Sequence, residues 1–330
     1  TAGRPAKGAQ FSRKPGEGLF KRSRANTPND RRQCALSDAG QPGDTVKPPK
    51  GLQPLLDDGV IDEVLRPLKS GKEASVYVVR SGAAIRCAKV YKDLATRSFQ
   101  ARVQYQEGRA VRGSRQARAI GKASAFGRRE AEAAWKNTEV DVLFQFAAAG
   151  VHVPEPHGYF NGVLLMDLVV DEHGHAAPRL GEVDLSPEIA RLFHHELIRD
   201  IVRMLCLGWI HGDLSEYNVL VAEAGPVIID FPQVVSAAGN NNARRMLLRD
   251  VHNLRDCLAR FAPELAETHY GEEMWSLYEK GELKPDTALT GRFVFDQRRA
   301  DVHSVMRTID EARKEALIRD QGRKEAAERD

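Results

Sequence analysis

Asp213, Asn218 and Asp230 fall within one stretch, HGDLSEYNVLVAEAGPVIIDFPQ (211–233), in which an aspartate precedes an asparagine by five residues and a second aspartate closes an apolar run. Three oxygen-bearing side chains on tight turns around two short strands suit a hard cation and a phosphate. Mg2+ takes oxygen ligands in octahedral geometry and keeps some of its water, so one amide, one carboxylate and phosphate oxygens suffice. Asn218 and Asp230 are the candidate metal ligands if the strands NVLVAE and PVIID bring them together. Asp213, at the mouth of the same turn, is placed to orient or deprotonate a hydroxyl or water, which makes Asp213 and Asp230 the candidate catalytic pair. Upstream, Lys89 ends the apolar strand IRCAK, where an ammonium can reach α- and β-phosphates. Such a lysine needs a carboxylate to hold it, and Glu139 on the following helix is the natural partner.

The elements that must position these groups are readable in outline. ASVYVVRSG followed by AAIRCAKVYK is a strand–turn–strand pattern around Ser81-Gly82. RREAEAAWKNTEVDVLFQFAAAG has helical spacing at Trp135, Val142, Leu143 and Phe146 and stops at Gly150. VPEPHGYFNGVLLMDLVV reads as two strands, the second buried. Ser186-Pro187-Glu188 opens a helix in the favoured order of cap, then proline, and that helix runs to about Gly208. From about residue 243 the chain reads as mainly helical, whereas LQPLLDDGVIDEVLRPL, from residue 52, reads only as short amphipathic pieces. A strand-rich first half with one long helix, then a helix-rich second half, implies an α+β fold of two lobes with a cleft between them. The turn SGKEAS (70–75) is neither a Walker A loop nor a G-x-G-x-x-G loop, because position 66 is Arg, Glu73 stands where Ser or Thr belongs, and Gly71 is its one glycine. Its hydroxyls, amides and Lys72 can still hold phosphate.

Composition bounds the rest. A chain of 330 residues, 42% hydrophobic, can bury a large core, and a mean hydropathy of −0.44 describes a water-exposed protein. GVLLMDLVV is too short to cross a bilayer, no signal-type apolar segment opens the sequence, and the four cysteines form no CxxC pair. The expectation is a reduced, cytoplasmic setting without membrane contact. The net charge of +3 is uneven: residues 1–50 carry eleven Lys/Arg against four Asp/Glu, a local +7, which leaves −4 for the remainder. That segment cannot bury enough apolar surface to offset its ordering entropy, so a disordered basic arm is expected. Residues 97–129, with nine Lys/Arg and one acid, read as a flexible basic loop, with a helix near Phe99–Tyr105. Both attract polyanions in a sequence-independent, salt-sensitive way.

Taken together, SGKEASVY, CAKVYK, W-x3-E, VPEP, LLMDLV, HGDLSEYNVLV and IIDFPQ resemble, in order and over about residues 60–262, the RIO family of atypical protein kinases. The spacing Asp-x4-Asn followed by a strand-end Asp is also that of ordinary protein kinases. The resemblance implies a reduced two-lobe kinase-like fold, an N-lobe antiparallel sheet plus helix and a mostly helical C-lobe. The corresponding domains are an arm over 1–50, an N-lobe over 51–170 with the 97–129 loop, a C-lobe over 171–280 and a helical extension over 281–330. It implies ATP with Mg2+ (or Mn2+), serine/threonine kinase or ATPase activity on a protein substrate or on the chain itself, and an aspartyl-phosphate at Asp230. It also implies a role in small ribosomal subunit maturation, with ribosomal RNA or a small-subunit particle met by the basic arm and loop. Carried over by position, Lys89 binds phosphate, Glu139 orients it, Asp213 is the catalytic aspartate, and Asn218 and Asp230 bind metal. Asp167 and Val169, after Met166, offer backbone groups to adenine, while Ser70 and Lys72 sit on the triphosphate. Most motifs are like the first RIO subfamily, and IDFPQVV is more like the second. His-Gly-Asp replaces the kinase His-Arg-Asp, so Gly212 cannot clamp a phosphorylated loop, and no Ala-Pro-Glu precedes the helix near Ala243. Two other readings share parts of the pattern: a small-molecule phosphotransferase of the aminoglycoside kinase type, which shares HGD-x4-N and IDF, and an ATP-gated RNA-binding module.

Overall fold

The computed structural model describes residues 21–22, 48–71, 73–92 and 138–294. Along the chain these form β1 (Lys21–Arg22), α1 (Gln53–Asp57), β2 (Glu63–Ser70), β3 (Ala74–Ser81), β4 (Ala84–Tyr91) and a helix α2, described over 138–148. There follow β5 (Pro156–Phe160), β6 (Val163–Asp167), β7 (Val183–Asp184), α3 (Pro187–Cys206), β8 (Trp209–Ile210), β9 (Val219–Ala222), β10 (Gly225–Ile228), β11 (Val235–Ser236), α4 (Ala243–Ala259) and α5 (Tyr270–Glu279). The result is the reduced two-lobe, kinase-like α+β fold: an antiparallel sheet in the order β2-β3-β4-β6-β5, then a helical half.

Period-two alternation divides the sheet between two cores. Val163 and Leu165 of β6, Val79 of β3 and Ala88 of β4 pack with Leu52, just before α1, and Leu55 within it. Leu164, between the two β6 residues, turns the other way and joins α2 (Val142, Leu143, Phe146) in the core shared with the helical half. Lys89 is paired with Leu164 across the β4–β6 ladder, so it shares that second face. The alternation that buries β6 therefore also aims Lys89 at α2.

In the helical half, Ser186 accepts a hydrogen bond from Ile189 N at 3.3 Å and Pro187 occupies the first turn, as the sequence leads one to expect. Ala190, Phe193, Leu197, Ile201 and Leu205 then recur at helical spacing on the buried face of α3. His194 lies on the same face, without a hydrogen-bond partner at Nε2 among the described residues, 5.4 Å from the Tyr270 ring. Burial first, then the charges of His195 and Arg255, pushes its pKa from 6.5 down to about 4. The unfolded chain takes up a proton that the folded chain refuses, so the stability this imidazole contributes is complete above pH 6.5 and is lost as pH falls toward about 4. His194→Phe should remove about 1.4 kcal/mol per pH unit from the acid slope of stability in that window. Urea midpoints of both proteins measured across it should diverge from parallel; parallel slopes would mean that His194 titrates normally.

Three features depart from the sequence reading. Residues 63–70 form a full strand where only amphipathic pieces were legible. Pro67, which has no N–H to donate, is accommodated because β2 lies at the sheet edge, and register shifts at Val64/Arg66 and Pro67/Lys69 break the alternation that would have announced a strand. Within the segment expected to be disordered, Lys21–Arg22 pair antiparallel with Val183–Asp184. Third, the helical extension expected from 281 is not helical over 281–294. There Glu273 accepts hydrogen bonds from Thr290 N and Gly291 N, and Gly291 O accepts one from His269 N at 2.8 Å, so α5 holds this stretch and the compact unit closes at Arg292. Phe293–Asp330 form a second unit. The basic loop 97–129 with its helix near 99–105, together with Lys72 and Trp135, lies outside the described residues. Among the described residues no helix is long and apolar enough to cross a membrane.

Candidate functional site

A lysine on a half-buried strand must find counter-charges. Lys89 Nζ donates to Glu139 Oε1 at 2.7 Å and to Asp230 Oδ1 at 3.1 Å. Its side chain is 13% exposed and that of Glu139 4%, whereas Asp230 is 49% exposed and opens to the cleft. Burial alone would pull the ammonium down, but the Glu139 carboxylate, with Tyr91 and Asp230, more than offsets this and holds the Lys89 pKa well above its ordinary value. The Tyr91 ring lies under the ammonium, 5.4 Å to its centroid. The Tyr91 hydroxyl and Glu139 Oε2 are both buried without a well-formed hydrogen bond, although they are close enough that Glu139, after burial, raises the phenol pKa. Glu139, expected to hold Lys89, and Asp230, expected to bind metal, thus meet on one ammonium.

The register of the β9–β10 hairpin brings the other groups together. Ile228 pairs with Val219, so the next residues outward face each other, and Ile229 N donates to Asn218 O at 3.0 Å. Asn218 and Asp230 are therefore offset by a single residue across the hairpin. Asn218 Nδ2 donates to the Asp213 carbonyl at 2.8 Å, which leaves the amide oxygen as an acceptor. β10 ends at Ile228, and Asp230 lies beyond it with φ +71°, a left-handed conformation that Asp tolerates better than most residues and that costs free energy unless its surroundings enforce it. Burial raises the Asp230 carboxyl, but Lys89 dominates with its charge and hydrogen bond, and His211 and Arg179 add to it, so the net shift is downward. Asp213, solvent-exposed but flanked by packed backbone, shifts upward through partial desolvation first and the Asp230 charge second, against Arg249.

The loop carrying Asp213 is held by residues that the sequence reading did not single out. His211 is buried; its Nε2 is 3.2 Å from Ile229 O and Asp213 N donates to its Nδ1 at 3.3 Å, which assigns the proton to Nε2. Burial pushes its pKa down to about 4, so the ring is neutral at physiological pH. Asp250, 1% exposed on α4, accepts from Gly212 N at 2.7 Å and Leu214 N at 3.2 Å, and burial pushes its carboxyl up to about 7. Asn253 Nδ2 donates to Leu214 O at 2.9 Å and Arg249 donates to Gly212 O. One helical turn of α4 thus satisfies both faces of the peptide bonds on either side of Asp213. Gly212 has φ +81°, and a Cβ there would overlap the Gln233 carbonyl oxygen and stand 3.0 Å from Met246 Cε. That is the physical reason for glycine where ordinary kinases have arginine.

At the far edge of the cleft, Ser70 Oγ is 3.1 Å from Ser75 Oγ and accepts from Lys92 Nζ at 3.0 Å; Lys92 also donates to Gly71 O at 2.8 Å. Lys92 therefore closes the turn after β2, a role the sequence reading did not give it. At the hinge, Asp167 N donates to Glu155 O and Val169 O accepts from Ala177 N, both already used in the fold. Those two bonds leave the Asp167 carbonyl and the Val169 N–H uninvolved. The Asp167 side chain turns away to His157 Nε2, 2.5 Å distant.

The described residues hold no group of three or more His, Cys, Asp or Glu side chains that could bind a metal by themselves. Asn218 and Asp230, offset by one residue across the hairpin, are hard oxygen donors of the kind that would suit a hydrated Mg2+ shared with phosphate oxygens.

Comparison with known proteins identifies the family. The RIO domain family model matches residues 75–270. The RIO-type serine/threonine-protein kinase Rio1 of Haloferax volcanii is 34% identical over 211 residues, covering 62% of this chain and 67% of that protein. Serine/threonine-protein kinase RIO1 of Chaetomium thermophilum is 30% identical over 62% of this chain, which spans only 41% of that protein's length. A Rio2 relative, from Methanocaldococcus jannaschii, is 38% identical over a shorter 110 residues, 32% of this chain and 38% of that protein. A crystal structure of a kinase domain overlays 75% of this chain on 84% of that one at 15% identity with a TM-score of 0.38, too loose a likeness to add to the argument. On the family match and the Haloferax relative, this chain belongs to the RIO domain family of serine/threonine protein kinases.

Proposed function

We propose that the chain is an ATP- and Mg2+-dependent RIO-type kinase and ATPase that works through Lys89, Asp213, Asn218 and Asp230. The observation that carries this reading is the bridging ammonium: Lys89 is held by Glu139 and at the same time reaches Asp230, so one cation spans the two halves of the cleft. Lys89 faces the α- and β-phosphates, the turn at Ser70 and Lys72 covers the triphosphate, and the Asp167 carbonyl and Val169 N–H take the adenine. Mg2+, or Mn2+ in its place, held by Asn218 and Asp230, supplies charge neutralisation to the phosphates.

Asp213 orients the acceptor hydroxyl and takes its proton as the new phosphorus–oxygen bond forms and the bond to ADP breaks. Its raised pKa fits a group that must accept a proton during the step. A second course transfers the phosphoryl group to a carboxylate oxygen of Asp230 itself, and water then hydrolyses the acyl phosphate. The 49% exposure of Asp230 and its unusual backbone conformation favour that course. Incubation with γ-labelled ATP and Mg2+, followed by acid and base treatment, separates the two. Label lost in both hot acid and base marks an acyl phosphate, and label surviving acid but lost in base marks phosphoserine or phosphothreonine. No label and no turnover in the wild type, or labelling undiminished in Lys89→Ala, would sink the reading.

The local charge of +7 over residues 1–50 and the nine Lys/Arg of 97–129 support a polyanionic partner, ribosomal RNA or a small-subunit particle, met in the cytoplasm during subunit maturation. Removing residues 1–50 should leave ATP turnover unchanged and flatten the fall of log affinity with log salt for such particles. An unaltered salt slope would remove the arm from the interface.

A further inference from the structure

Beside the catalytic hairpin runs a third, shorter stretch of extended chain. Val221 N donates to Pro178 O at 2.8 Å, Arg179 forms an isolated antiparallel bridge with Leu220, and Gly181 N donates to Glu216 O at 3.3 Å. Arg179, Leu220 and Val227 therefore stand in one row across three strands, two residues along from Asn218. Val219 and Val221 point into the core, whereas Leu220 and Val227 are only partly buried, so this row forms the face turned away from the core. Directly opposed residues of an antiparallel pair share a face, which puts Arg179 on the same side.

The fold makes no visible use of the Arg179 guanidinium. Its backbone N–H donates to Glu182 Oε2 at 3.1 Å, but among the described residues its side chain has no carboxylate within ion-pair distance and no hydrogen bond. Charge balance sharpens the point. Lys89 is already opposed by Glu139 and Asp230, and Asp213 adds a further negative charge, so these four groups sum to about −2 toward an anionic ligand. Beside Mg2+ and Lys72, a triphosphate entering this cleft can use a further cation that no carboxylate opposes, and a planar guanidinium with five donors is suited to phosphate oxygens.

We propose that Arg179 is a phosphate-binding residue for the nucleoside triphosphate, contributed by the strand beside the catalytic hairpin and acting opposite Lys89. The proposal rests on the ATP reading above and adds a residue to it. Calorimetric titration of the full chain with ATP and with adenosine, in Mg2+, separates the two ideas. Arg179→Met should weaken ATP by about tenfold or more, the usual loss for a charge-assisted hydrogen bond, and leave adenosine within about twofold. Arg179→Lys, which keeps the charge but not the fork, should recover part of the ATP loss. ATP affinity unchanged in Arg179→Met, while Lys89→Ala weakens it, overturns the role of Arg179 alone. Equal losses for ATP and adenosine also overturn it, because they mark a structural defect. A wild-type chain that binds ATP no better than adenosine overturns the phosphate reading of the whole cleft, and Arg179 with it.

Discussion

Asp213→Ala should bind ATP nearly as well as the wild type while turnover falls roughly 10²–10⁴-fold, the usual contribution of a positioned proton acceptor. The Asp213 backbone is fixed from three sides, by His211 Nδ1 on its N–H, by Asn218 on its carbonyl and by Asp250 on the flanking amides, so the loop survives loss of the carboxylate. Asp230→Ala should fail in a different way. Lys89 keeps Glu139 at 2.7 Å, so the N-lobe stays in order, but the cleft loses the exposed carboxylate that pairs with Lys89 and lies one residue across the hairpin from Asn218. Nucleotide binding should then lose its dependence on Mg2+, and any base-labile label should disappear with it. Calorimetry with and without Mg2+, set beside single-turnover rates, distinguishes the two. Catalysis surviving in both variants would mean that this cleft is not the active site. Label retained in Asp230→Ala would remove only the aspartyl-phosphate.

Gly212→Ala should be nearly as damaging, although it adds one methyl group. A left-handed backbone costs a non-glycine residue roughly 1–2 kcal/mol, and here the new Cβ also overlaps the Gln233 carbonyl, which is backbone and cannot rotate aside. The two together should destabilise the chain by about 3 kcal/mol or more. If the loop moves to relieve the overlap, it must leave the hydrogen bonds from Gly212 N and Leu214 N to Asp250, so residual folded protein should be inactive. Urea unfolding and turnover measured on the same preparation read both effects. A stability change within about 0.5 kcal/mol, typical of an unconstrained surface site, would show that the loop is not held as described. Arginine at this position, as in His-Arg-Asp kinases, meets the same overlap.

Much of this site could be read from the chain because its key groups sit on short-range structure. Asp213, Asn218 and Asp230 lie within eighteen residues around a hairpin, and a hairpin register is set by its own turn and pattern, so their spacing alone implied their meeting. Lys89 and Glu139 are fifty residues apart, yet strand and helix periodicity aimed both at one face. The strand over 63–70 was not legible, because two register shifts and Pro67 erase the alternation that marks a strand. The close of the compact unit at Arg292 was equally hidden, since it depends on Glu273 binding backbone N–H groups, to which no residue pattern corresponds. The same holds for Asp250, Arg249 and Asn253, which grip the catalytic loop from over thirty residues away by its peptide groups. Arg179 is brought beside the hairpin by an isolated bridge to Leu220 and the backbone bonds that flank it. Residue types and spacing along this chain determined which groups are candidates for the chemistry, since local periodicity fixes where each side chain points. Which neighbours hold them still was decided by tertiary packing, because backbone hydrogen bonds are blind to residue type.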